Sequence, residues 1–373
     1  MAEKIRFGLI GCGLMGKEFA SACARWFHLG AGLPRPEIMA VCDVNKDNTL
    51  WFTQNVPTVT NAFTDYRELL KQDSLDAVYA AVPHFLHEEI YTAVIEAGKH
   101  LLGEKPFGMD RKQNAAILAA LQRRPEVFAR CTGEYPYFPG AQRVIERFRS
   151  GRLGTIMEVR SGIRHASDLD PRKPINWKRV AKFNGEYGCM GDLGAHTHHI
   201  PLRLGFAPHN VRAVLQNITK TRPDGKGGVV PCDTWDNATL LCECGAPGEA
   251  FPMLLETKRM SPGSTSDWFI EIYGTEASAR FSSADPAAFH YCVNNVWSRE
   301  LIGQKTMLPS ITGGTFEFGF GDALLQMYGA FVAELSGADV PFGLMTPEET
   351  GRSHALLTAA LRSHETGSAA EIE

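Results

Sequence analysis

The segment Lys4–Gly16, KIRFGLIGCGLMG, constrains this chain more than any other stretch. It reads as a short buried strand that runs into Gly11-x-Gly13-x-x-Gly16 and then a helix. Each glycine has its own physical task in that setting. Gly11 permits a tight turn, Gly13 lets backbone approach a pyrophosphate, and Gly16 lets the helix pack close to the strand. A pyrophosphate would then lie against the backbone of Gly13, Leu14, Met15 and Gly16, at a helix N-terminus whose dipole favours negative charge. Glycine spacing alone is a weak signal. The strand before it and the helix after it make a dinucleotide site the expectation, with an incidental Gly-rich turn as the alternative.

The rest of the first third keeps the same grammar. Strand patterns at 37–42, 75–82, 100–102 and 126–131 alternate with helical patterns at 14–27, 64–71 (Thr64 as N-cap), 87–97 (Gly98 as C-cap) and 111–121. LDAVYAAV, residues 75–82, is a continuous apolar run of the kind a central parallel strand needs. The series implies a doubly wound parallel sheet over residues 1–131. After residue 132 the pattern changes. Alternating or β-rich segments at 155–163, 211–219, 235–244, 251–259, 268–273 and 277–281 follow a helix at 140–149, and helices at 322–335 and 347–362 close the chain. An open, largely antiparallel sheet in a second domain, 132–373, is expected. The loop 221–231, TRPDGKGGVVP, is expected to be mobile, lining a site or joining strands.

The chain has 373 residues, enough for about two domains with real cores. A net charge of −4 argues against nucleic-acid or anionic-membrane partners, which require basic surfaces. No apolar run reaches transmembrane length. MAEKIRF enters the first strand directly, so no leader is expected and a cytoplasmic location is. Nine scattered cysteines without a CxxC pair read as reduced, mostly buried thiols; alternation puts Cys242 and Cys244 on one strand face.

Three constellations carry chemistry. Asp43 ends the second strand in AVCDVN, where a carboxylate accepts hydrogen bonds from the ribose of NAD and repels the extra phosphate of NADP, or else serves as a turn cap. Glu104-Lys105-Pro106 follows a strand end; proline biases Lys105 toward extended backbone and holds an ammonium at the carboxyl edge of the sheet, unless Lys105 is only half of a surface pair. In GCMGDLGAHTHH, Asp192 and His196 stand four apart and share one helix face. That pair suits general acid–base work, with a polar core role and a metal pair completed by His198 or His199 as alternatives. No metal is expected, because no third ligand stands at convincing spacing. No GxSxG nucleophile elbow and no GxxxxGK[ST] phosphate loop is present.

Taken together, Gly11–Gly16, Val82-Pro83-His84-Phe-Leu-His87, Ala97-Gly98-Lys99-His100 leading into Glu104-Lys105-Pro106, and the Asp192/His196 block resemble the Gfo/Idh/MocA family of oxidoreductases. The Gly274-Thr275-Glu276 turn and the final helix ending His364-Glu-Thr-Gly367 are similar to the same family. The resemblance covers essentially the whole chain. It implies an N-terminal Rossmann domain, a C-terminal α+β domain whose open sheet joins subunits into a dimer or tetramer, and NAD(P)-dependent redox chemistry on a sugar, polyol or sugar derivative. It further implies that Val82, Pro83, His87, Glu104 and Lys105 join the glycine turn and Asp43 around the cofactor. Lys105, Asp192 and His196 become catalytic candidates, with Tyr135 and Trp177 beside the substrate. NAD is expected over NADP. His84, His199, Tyr135 and Tyr137 depart from the residues common in the family, which leaves the substrate open. Two other functions fit the same motifs: an NAD-dependent glycosidase or lyase that oxidises its substrate transiently, and a non-catalytic NAD sensor.

Overall fold

The computed structural model describes residues 3–246, 248–303, 306–312 and 318–373. The polypeptide divides into two compact units.

The first unit holds a six-stranded sheet: β1 (Lys4–Ile10), β2 (Arg35–Cys42), β3 (Asn61–Phe63), β4 (Ala77–Ala80), β5 (His100–Gly103) and β6 (Ala129–Cys131). Their order is β3-β2-β1-β4-β5-β6 and every pairing is parallel. This is the doubly wound arrangement expected from the sequence. Its strand order reverses between β1 and β4, and ligands of such sheets bind outside the carboxyl ends at that point. Phe7, Leu9, Val78, Tyr79 and Leu101 are wholly buried, as a sheet covered on both faces demands.

A single cut at residue 131 does not describe this unit, which also takes in part of the chain near its C-terminal end. The helix Phe320–Leu335 packs on the helix Leu14–Ala24. Residues 323–333 of that helix are all buried, so it needs apolar cover along most of its surface. Phe19 supplies some of it, with its ring 4.9 Å from Tyr328 and 5.1 Å from Tyr79. Arg25–Asp322 (3.1 Å) and Arg130–Glu334 (3.0 Å) add ion pairs. Other corrections are local. Asp65, not Thr64, caps a shorter helix, Tyr66–Leu70. A helix at Lys46–Asn55 escapes the sequence pattern because it buries only Thr49 and Phe52, and Asn45 caps it.

The second unit is built on a nine-stranded sheet. Its strands are β7 (Ile156–Arg164), β8 (Pro208–Gln216), β11 (Asn237–Cys244), β12 (Phe251–Lys258), β13 (Asp267–Gly274), β14 (Ala277–Ser282), β15 (Ala288–Val293), β16 (Val296–Leu301) and β17 (Ala370–Glu371); β9 (Thr221–Pro223) and β10 (Val229–Pro231) form a separate hairpin. Only β7 and β12 pair in parallel. The segment 221–231 is thus a hairpin rather than a loop. One sheet face is covered: Val159, Ala213, Leu240, Cys242, Cys244, Leu255 and Ile270 lie buried on it, Cys242 and Cys244 together as alternation requires. The helix Cys189–Arg203 lies against β7, β11, β12 and β13. The opposite face exposes Val214 and Leu241. No helix among the described residues is long and apolar enough to cross a membrane.

Candidate functional site

In the first unit, the three motif glycines answer to different neighbours. Gly11 has φ +96°, and a Cβ there would stand 2.2 Å from the Ala81 carbonyl oxygen at the end of β4. A Cβ on Gly16 would stand 2.5 Å from the Gly11 carbonyl oxygen. Packing inside the protein therefore demands both. Gly13 is different: its φ is −76°, and a Cβ there would meet nothing within 4 Å. Nothing in the fold requires glycine at 13, and the bare backbone opens onto space at the N-terminus of the helix Leu14–Ala24. Leu14, 75% exposed, flanks that space, while Met15 packs against the core. A helix start with unencumbered N–H groups and no acidic residue in its first turn fits a dinucleotide pyrophosphate.

Asp43 sits beside this turn. One carboxylate oxygen accepts the Cys12 N–H (2.9 Å) and the other accepts the Asn45 N–H (2.9 Å). The side chain thus fulfils the turn-capping role and remains half-exposed, with lone pairs available to ribose hydroxyls. Val82 and Pro83 follow β4 and are half-buried.

His87 and Glu104, expected around the cofactor, turn their side chains inward. The His87 imidazole is buried between the Pro106 carbonyl oxygen (2.6 Å from Nδ1) and the Val82 carbonyl oxygen (3.0 Å from Nε2), stacked on Tyr91. It ties the turn after β4 to the turn after β5. Burial pushes its pKa down to about 4, with the Lys105 charge adding to that fall, so the ring is neutral near pH 7. Glu104 accepts the Tyr79 hydroxyl (2.7 Å), and its carbonyl accepts the Tyr91 hydroxyl (2.7 Å). These bonds fix the backbone on which Lys105 stands, half-buried before a cis Pro106. Residues just past Cys131, which pairs with Gly103, bring another carboxyl to this sheet edge. Glu134 is buried, and desolvation, helped by the Glu104 charge, raises its pKa to about 7. Tyr135 follows it and is also buried, its ring 6.4 Å from Phe320.

In the second unit, Asp192 and His196 lie one turn apart on the helix Cys189–Arg203 and are both buried. Asp192 is surrounded by cations that the sequence did not single out. Lys178 Nζ contacts both its oxygens (3.0 and 3.1 Å), and Arg259 Nη2 lies 3.2 Å from Oδ2. These are charge-assisted contacts, the stronger kind of hydrogen bond. His196 is anchored through its backbone, whose carbonyl accepts the Trp268 indole N–H (2.6 Å). His165, just past β7, faces Asp192, Arg259, Asp168 and Lys178; burial lowers its pKa. Trp177 opens the short turn that carries Lys178, with the ammonium 5.6 Å from its ring centre.

The histidines that follow in sequence go elsewhere. His198 Nε2 lies 2.6 Å from Ser353 Oγ on the last helix, and His199 faces Arg203 and Glu349. Helical rotation turns His198, two positions on, away from His196, while His199, three positions on, is drawn toward Arg203 and Glu349. Among the described residues no group of three or more His, Cys, Asp or Glu side chains is arranged to hold a metal ion. Lys178, Arg259 and His165 were missed because nothing local marks them: they stand at two strand ends and a turn, with Lys178 14 and Arg259 67 residues from Asp192 in the chain. The one available signal was position, since His165 and Arg259 both follow alternating strands at their carboxyl ends.

Comparison with known proteins bears on both units. Residues 5–130 match the model described as oxidoreductase family, NAD-binding Rossmann fold, and residues 141–280 match the GFO/IDH/MocA C-terminal domain. Levoglucosan dehydrogenase of Pseudarthrobacter phenanthrenivorans is 26% identical over 298 residues, covering 75% of this chain and 74% of that protein. A dTDP-3,4-didehydro-2,6-dideoxy-alpha-D-glucose 3-reductase of Actinomadura kijaniata is 30% identical over 58% of this chain and 61% of its own length. A solved levoglucosan dehydrogenase structure, in complex with NADH and L-sorbose, superposes over 100% of both chains with a TM-score of 0.89 at 22% identity, a likeness of fold. Since the two models together span most of the polypeptide, and both compact units have the architecture they describe, this chain belongs to the Gfo/Idh/MocA oxidoreductase family.

Proposed function

We propose that this protein is an NAD-dependent dehydrogenase acting on a secondary alcohol of a sugar, polyol or sugar derivative. The observation that carries the reading is the pair on one helix: a cation-braced Asp192 one turn from His196. The names of the relatives, a levoglucosan dehydrogenase and a deoxysugar 3-reductase, support the substrate class.

The open backbone at Gly13 and the first turn through Leu14, Met15 and Gly16 would hold the pyrophosphate, and Asp43 the ribose. Bound NAD supplies the hydride acceptor. His196 takes the proton of the substrate hydroxyl. Lys105 donates a hydrogen bond to the same oxygen and stabilises the negative charge that develops there. Asp192 cannot act as the base while Lys178 and Arg259 bracket it; it orients the substrate or His196. Tyr135 and Trp177 border the sugar. Asp43 favours NAD over NADP by repelling a 2′-phosphate. The apolar residues on the open sheet face, Val214 and Leu241 among them, form the contact between copies in a homo-oligomer.

The test is incubation of the purified protein with NAD and a panel of aldoses, inositols, polyols, anhydrosugars and glycosides, following NADH and aglycone release together. Net NADH with at least one sugar supports the dehydrogenase. Aglycone release without NADH would assign the transient-oxidation alternative, and NAD binding without any turnover the sensor.

A further inference from the structure

β7 and β12 run in parallel, with Arg164 opposite Lys258. One residue further, His165 and Arg259 leave the two strands side by side, and the His165 N–H donates to the Lys258 carbonyl (2.9 Å). Alternation sends both side chains to the covered face, with Val159, Ile163, Leu255 and Thr257. The helix Cys189–Arg203 lies on that face, and Arg259 meets its Asp192 at 3.2 Å. On the other side of β7, Trp268 stands opposite Ile163 and donates its indole N–H to the His196 carbonyl (2.6 Å). His165 therefore rises from the sheet beneath the stretch of helix that carries Asp192 and His196.

The His165 ring is held at one end. Its Nδ1 lies 2.8 Å from the Ser167 hydroxyl. No other hydrogen bond reaches the ring among the described residues, and the side chain is half-buried, so Nε2 meets what enters from solvent. Burial lowers its pKa, with Arg259 and Lys178 adding to the fall and Asp192 and Asp168 opposing it, so the imidazole is neutral near pH 7. A neutral ring fixed at Nδ1 has one role left at Nε2: donor when Nδ1 accepts from Ser167, acceptor when Nδ1 donates. A hydroxyl answers either role. A carboxylate or an ammonium answers only one.

We propose that His165 is a specificity-determining residue whose Nε2 hydrogen-bonds a second hydroxyl of the sugar, distinct from the one that His196 deprotonates, so that the substrate is at least a diol. The inference rests on the reading of Asp192 and His196 as the substrate side of a dehydrogenase. It leaves the contacts of Asp192 and Lys178 as they stand.

The test compares glucose and its monodeoxy derivatives with NAD, in wild type, His165→Leu and His165→Gln. The derivative that lacks the oxidised hydroxyl yields no NADH in any variant and is set aside. In wild type one of the others is expected to lose about three- to ten-fold in kcat/KM against glucose, the net contribution of one neutral hydrogen bond. In His165→Leu glucose loses the same factor and that derivative loses little more, because both changes remove one contact. His165→Gln, which keeps a donor and an acceptor, restores part of the loss on glucose. A ring that only ties the Ser167 turn would give equal losses on every sugar in His165→Leu; that result, or no loss on any, overturns the proposal. Absence of NADH with every sugar is failure of the dehydrogenase reading instead. Calorimetric titration of the NADH-loaded protein with the same sugars then decides. Glucose bound more weakly by His165→Leu, beside a deoxysugar bound equally by both proteins, sustains the inference. Equal change for all of them, or no binding, overturns it.

Discussion

The two units make their candidate sites from different material. Around the glycine turn the groups are mostly backbone: the open N-terminus at Gly13, the Cys12 and Asn45 N–H groups on Asp43, and the Val82 and Pro106 carbonyls on His87. Around Asp192 they are side chains: Lys178, Arg259, His165 and His196, drawn from two strand ends, a turn and a helix. A backbone site needs particular residue types at fixed spacing, so it leaves a local signature. A side-chain network needs only that charges meet after folding, so it leaves almost none.

The contrast implies that damage to the two sites should look different. The largest expected effect is on chemistry alone. His196→Ala should lower kcat by roughly 10²–10⁴-fold, the usual contribution of a general base, with NAD affinity by calorimetry nearly unchanged. Parallel loss of NAD binding would contradict the division between cofactor and substrate sides. Next comes stability in the second unit. Arg259→Met removes one partner of a buried ion pair and should cost about 3–5 kcal/mol in urea unfolding, since Asp192 and its remaining neighbours stay behind. A loss below about 1 kcal/mol, as for surface pairs, would show that Lys178 alone suffices.

The glycines sharpen the comparison further. Gly11→Ala drives a Cβ into the Ala81 carbonyl at φ +96° and should destabilise the fold by about 1–3 kcal/mol. Gly13→Val meets no protein atom near its Cβ, so the melting temperature should hold while NAD affinity falls about ten-fold or more. If both variants unfold alike, the open space at Gly13 has been misread.

The smallest effect is the dependence of stability on pH. Burial pushes His87 down to about 4 and His198 and His199 down to about 3. An unfolded histidine binds its proton near pH 6.5. The unfolded chain therefore takes up more protons below that pH, and stability should fall as the pH drops from 6.5 toward 4. Glu134 works the other way. Its raised pKa contributes stability that is full below about 4.5 and lost as the pH rises through about 7. Three histidines outweigh one carboxyl, so denaturant midpoints should decline on acidification, and His199→Gln should flatten the decline. A midpoint that rises on acidification would mean that these rings are solvated.

The same contrast explains what the sequence disclosed. The doubly wound sheet, the glycine turn and the helix that Asp192 and His196 share were legible because each is a short-range pattern. The placement of the helix Phe320–Leu335 with the first unit was not, because its apolar face says that it must be covered and not by what. His87 and Glu104 carried motif positions whose backbone matters more than their side chains, so their inward turn left no mark. Lys178 and Arg259 looked like any surface cations until folding brought them to one carboxylate. β15 and β16 escaped because β16 is exposed on both faces and shows no alternation.

A crystal structure with NADH and a turned-over sugar decides whether the proposed roles of Lys105 and His196 hold. The Lys105 ammonium and the His196 imidazole are both expected within hydrogen-bond reach, about 3 Å, of the oxygen on the sugar carbon nearest the nicotinamide. A sugar held by only one of them, or lodged away from the nicotinamide ring, would contradict those roles.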